Sequence, residues 1–161
     1  MNQQEITDFL LALGHVTVLV ASEANGSPPQ AWGDTFYFIT DTDGEAQKMP
    51  FSTIVTQDYK GFDEASQLDR DGLFRLNADL GKEQFQEIFG YLPADHQSQH
   101  DEYDYTAVDT LFPHPVYAKH AWASIINPSD KSVAKTKEIL LAAHQRAMRK
   151  IGSSVAASGR R

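Results

Sequence analysis

Apolar residues recur at helical spacing near both ends of the chain and in alternation between them. After Asn2 and Glu5, spaced as a capping box, Ile6, Phe9, Leu10 and Leu13 fall on one helical face until Gly14. The β-branched run Val16 to Val20 predicts a strand. Ser22 to Gln30, with Asn-Gly and Pro-Pro, reads as a loop. Trp32 to Thr40 and Phe51 to Gln57 predict a hairpin around the turn Asp41-Thr42-Asp43-Gly44. The acids Asp41, Asp43 and Glu45 lack the twelve-residue ligand pattern of a calcium loop, so the stretch reads as a turn. Leu73 to Leu80 alternates, with Phe74, Leu76, Ala78 and Leu80 on one side and Arg75, Asn77 and Asp79 on the other. Phe85, Ile88 and Phe89 mark a short helix closed by Gly90. His120 to Asn127 is a last strand, with Trp122, Ser124 and Ile126 opposite Ala121, Ala123 and Ile125, and Pro128 stops it. Ser129 or Ser132 then caps a long helix whose buried stripe is Val133, Thr136, Leu140, Ala143, Ala147 and Ile151.

The order lacks regular strand–helix alternation. It predicts an α+β domain with a mainly antiparallel sheet and N-terminal, short middle and long C-terminal helices packed on one face. Residues 1–151 form one domain, of a size that buries roughly two-thirds of its unfolded surface, and 152–161 form a flexible tail. Residues 58–72 read as a polar surface segment. The stretch 93–109 holds five acids, two histidines and no Lys or Arg, and reads as a long polar loop.

Charge alters this picture more than composition does. The net charge is −8, but residues 131–161 carry +7 and residues 1–130 carry −15. A basic helix end that complements its own dipole and an acidic body accounts for the split. Cysteine is absent, which removes disulfides and thiolate sites and fits a reducing cytoplasm. The N-terminus lacks a basic region before its apolar residues, no run reaches the about 18 residues of a membrane span, and the Asn25 sequon stands without other signs of secretion.

No nucleotide-binding, zinc-protease, EF-hand or nucleophile-elbow motif occurs. His96 and His100 stand four apart without a third ligand at a recognisable spacing, and His15 and His144 read as packing or helix-end residues; no metal and no cofactor is expected. What remains is a surface. With Phe74, Leu76 and Ala78 under the helices, Arg75, Asn77, Trp122 and Ser124 share the opposite sheet face. His114 and Tyr117 edge it from the loop set by Pro113 and Pro115, and Trp32 and Asp34 stand on a neighbouring strand. Tryptophan beside guanidinium and amide suits a small planar or anionic ligand, or a protein partner. The expectation is a non-enzymatic cytoplasmic binding or interaction module. The alternatives are a small hydrolytic enzyme using His114 oriented by Asp34 or Asp58, and nucleic-acid binding through the basic terminal helix, which the acidic body opposes.

Trp32-Gly33-Asp34, Thr56-Gln57-Asp58-Tyr59, Asp69 to Asn77 (DRDGLFRLN), Pro113-His114-Pro115-Val116-Tyr117, Trp122 and Asn127-Pro128 are motifs by which nearly the whole chain resembles an uncharacterised bacterial domain-of-unknown-function family. More distantly, the RLN strand before a short helix and the tryptophan-bearing strand before the terminal helix resemble the MmcQ/YjbR-like group. That likeness implies a small α+β fold and suggests DNA binding.

Overall fold

The computed structural model describes residues 1–158. Helix α1 (Gln3–Leu13) begins at the predicted capping box, in which the Asn2 side chain accepts from Glu5 N and the Glu5 carboxylate from Asn2 N. Strands β1 (Val16–Val20), β2 (Thr35–Ile39), β3 (Ser52–Val55) and β4 (Arg75–Asp79) form an antiparallel meander. Helix α2 (Lys82–Phe89) ends at Gly90, whose φ of 85° is the left-handed geometry that glycine adopts without a Cβ clash. Strands β5 (Leu111–Pro113) and β6 (Trp122–Ile126) complete an antiparallel sheet of order β1-β2-β3-β4-β6-β5, and α3 (Val133–Ser158) closes the chain.

The sheet has the α+β architecture that the pattern predicts. Tyr37, Ile39, Ile54, Leu76, Ala78, Ala123 and Ile125 bury one face against Ile6 and Leu10 of α1 and Ile139, Leu140 and Ala143 of α3. Helix α2 meets this core through Ile88 and Phe89 and turns Phe85 toward Ala118 and Ala121. His144 is packed, giving its Nε2–H to Gly14 O at 2.8 Å and an edge to Phe51.

Four segments differ from the sequence expectation. Residues 58–72 do not merely run over the surface: Asp63, Ser66 and Leu68 are buried, because a second core of Val55, Leu68, Tyr105, Phe112 and Ile126 forms on the sheet face away from the helices. Residues 93–102 coil into a 3-10 run, and Leu111–Pro113 pairs as an edge strand. Helix α3 continues beyond Gly152, where the sequence pattern stops; residues 159–161 of the expected tail lie outside the described residues.

Candidate functional site

Register builds the site. Across the sheet, Leu19, Phe36, Thr53, Asn77, Ser124 and Phe112 stand opposite one another in a single row on the face away from the helices. Arg75 belongs to the same face, two residues before Asn77, beneath the covering segment 58–72. This face forms the floor of a trough of about 1720 Å³ lined by Phe36, Phe38, Thr53, Asn77, His114 and Trp122 among others. Phe62 and Tyr117 stand on its rim with their rings edge to face at 6.0 Å.

Arg75 is 0% exposed, which for a guanidinium requires a full set of partners. Nε donates to Asn77 Oδ1 at 2.8 Å, Nη1 to Asp63 Oδ1 at 3.0 Å and Ser66 Oγ at 2.9 Å, and Nη2 to Asp63 Oδ2. The remaining Nη2 position lies 3.3 Å from His114 Nε2. Asn77 is equally committed: its Oδ1 also accepts from Ser124 Oγ at 2.7 Å, and its Nδ2 donates to Thr53 Oγ1 at 3.0 Å. The guanidinium therefore braces the trough floor instead of offering a free fork to an anion.

His114 is held between Pro113 and Pro115, with its backbone N–H on Trp122 O. The backbone N–H groups of Val116 and Tyr117 both donate to its Nδ1 at 3.0 Å. A neutral imidazole has one lone-pair nitrogen, so these contacts put its proton on Nε2. Burial, and then the nearby Arg75 charge, hold its pKa well below the usual histidine range, and the ring is neutral. Its Nε2–H therefore faces a second donor, Arg75 Nη2. Tyr117 and Trp122 flank the ring at 4.9 and 6.4 Å between centroids.

Asp34 joins at one remove. Its Oδ1 accepts from Thr56 N at 2.8 Å and Thr56 Oγ1 at 3.1 Å, and Tyr59 donates its hydroxyl to Oδ2. Burial raises the Asp34 pKa against the pull of these donors, and burial with the Asp34 hydrogen bond raises that of Tyr59. Trp32 stands apart from the trough, 40% exposed, with Nε1 on Ser27 O.

The fold thus brings Arg75, Asn77, His114, Tyr117 and Trp122 together, attaches Asp34 through Tyr59, and leaves Trp32 outside. The hydrolytic dyad is not formed. Backbone N–H groups orient His114, while Asp34 serves Thr56 and Tyr59 and Asp58 accepts from Leu68 N. Sequence reasoning missed Asp63, Ser66 and Tyr59. An acid partner for Arg75 was readable in general terms, but the preceding segment carries Asp58, Asp63, Glu64, Asp69 and Asp71, and nothing in the pattern singles one out.

Among the described residues, no helix is long and apolar enough to cross a membrane. No curated protein and no solved structure matches the chain. A family model does, over residues 1–156, and the chain belongs to that family, a family of unknown function (DUF6194).

Proposed function

We propose that the protein is a non-enzymatic binding module whose trough takes a small ligand with a flat apolar body and an acceptor oxygen. The observation that carries this reading is the donor pair at His114: with Nδ1 already accepting twice, Nε2–H and Arg75 Nη2 stand 3.3 Å apart as two donors. An oxygen that approaches from the trough and accepts from Nε2–H turns an unfavourable contact into a hydrogen bond. Phe62, Tyr117 and Trp122 offer the apolar contact for a planar body. Arg75, Asn77 and Asp34 act as positioning residues behind this surface.

The absence of cysteine supports a cytoplasmic location. The order RLN strand, short helix, tryptophan strand and terminal helix supports the distant MmcQ/YjbR-like likeness as a likeness of architecture. Nucleic acid is a poor fit to this site, because the charges lining its centre, Asp63 and Arg75, neutralise one another.

The test is a fragment screen by ligand-observed NMR, paired with imidazole ¹H–¹⁵N spectra. Aromatic carboxylates and amides should bind, move the His114 Nε2 resonance, and weaken about 3- to 10-fold in His114→Phe, the worth of one hydrogen bond. Fragments that leave His114 unperturbed and bind His114→Phe equally well would overturn the assignment.

A further inference from the structure

The 3-10 run Pro93–Glu102 carries His96 and His100, and the chain folds Tyr105 back over them. Three donor atoms meet there: His96 Nε2 lies 3.3 Å from His100 Nδ1, Tyr105 Oη lies 3.3 Å from the former and 3.0 Å from the latter. We propose that His96, His100 and Tyr105 form a binding site for a divalent first-row transition ion, copper(II) or zinc(II).

The geometry is the first reason. Two ligands about 2.05 Å from a tetrahedral ion stand about 3.3 Å apart, and all three edges of this triangle are near that length. An ion seated just above its plane reaches all three atoms and keeps a fourth position open. His96 and His100 also line a hollow of about 440 Å³ with Gln97, Asp101, Pro115 and Lys119, which gives room for water beside the ligands.

The second reason is the outer arrangement. Metal-bound histidines are oriented through their other ring nitrogen, and His96 Nδ1 is hydrogen-bonded to Tyr91 Oη at 2.8 Å. Without the ion, one proton on His96 Nε2 is shared between His100 Nδ1 and Tyr105 Oη, while Tyr105 donates to His100 O at 2.8 Å. On binding, that proton moves to His96 Nδ1, which then donates to Tyr91. Tyr105 releases its own proton to solvent and ligates as phenolate. His100 keeps its proton on Nε2. Among the described residues, no three His, Cys, Asp or Glu side chains converge on a metal; the third donor here is a phenol. Imidazole and oxygen donors together suit copper and zinc, and copper(II) should bind more tightly.

The experiment is equilibrium dialysis of the full chain against copper(II) alone and zinc(II) alone, with visible spectra of the copper form. The expected result is one ion per chain and a visible phenolate-to-copper charge-transfer band. Tyr105→Phe should lose the band, and His100→Ala, at a half-buried position, should weaken binding by more than about 100-fold, the upper end of what losing an outer partner costs. Tyr91→Phe should weaken it about 10- to 100-fold without abolishing the band. Failure of both ions to bind overturns the site. Copper uptake that survives His100→Ala unchanged, or that never shows the band, places the ion on other histidines and overturns it equally.

Discussion

Four of the five N–H groups of Arg75 are taken up by Asn77, Asp63 and Ser66, and that makes it a structural cation. A buried ion pair contributes little relative to a hydrophobic pair of the same shape, but removing one member strands the other. Arg75→Met should therefore cost about 3–5 kcal/mol by leaving Asp63 buried and unpaired, and Arg75→Met with Asp63→Leu should recover most of it. Urea unfolding of the three proteins checks this; a single mutant no less stable than the double would show that Asp63 is not stranded. The place of Arg75 on the sheet face away from the helices, though not its burial, was legible from alternation alone, since Leu76 and Ala78 had to face the helices. Asp63 was not, because no periodicity marks a single acid inside a loop. His114 was legible as constrained by two prolines; its tautomer depends on Val116 and Tyr117 backbone groups that only the fold brings round.

At the scale of elements, the long helix owes its starting point to one carboxylate outside it. Asp109 accepts from Ser129 N at 2.7 Å, from Ser129 Oγ, and from Ser132 Oγ, fixing the turn that enters α3. These hydrogen bonds, the Ser129 hydroxyl first, hold its pKa down to about 2. The folded state thus prefers the ionised group, so its contribution is full above the unfolded carboxyl pKa of about 4 and is lost as pH falls toward 2. Asp109→Asn should be less stable than the parent at neutral pH, with the gap closing across that window; a gap unchanged from pH 6 to pH 2 would reject the assignment. Ser129 and Ser132 were readable as helix-start residues, though their hydroxyls serve Asp109 and not the first turn of α3, whereas Asp109 was not, standing twenty residues upstream in a polar stretch. The long strands and helices were legible because their patterns repeat. Leu111–Pro113 is three residues long and carries no period, and the 3-10 run has scarcely any apolar face, so neither announced itself.

Across the whole molecule, part of the segregated charge is answered internally. Lys135 pairs with Glu138 at 3.0 Å, and Arg146 Nε and Lys150 Nζ lie 3.7 and 3.8 Å from the Asp79 carboxylate. Arg146 and Lys150 are thereby held against the acidic body, and duplex DNA at low ionic strength should produce no mobility shift. A shift whose affinity falls steeply with added salt would restore the nucleic-acid alternative. The same sheet ends unequally at its two sides. Strand β5 is short and carries Pro113, which has no N–H to give, so another chain finds little to pair with there. Strand β1 runs VTVLV along the opposite margin, with Leu19 and Val20 exposed; Asn25 Nδ2 occupies Val20 O at 2.8 Å. Edge pairing between crowded or partly unfolded copies should therefore be directional, using the β1 margin, where Asn25 covers one end, in preference to the β5 margin.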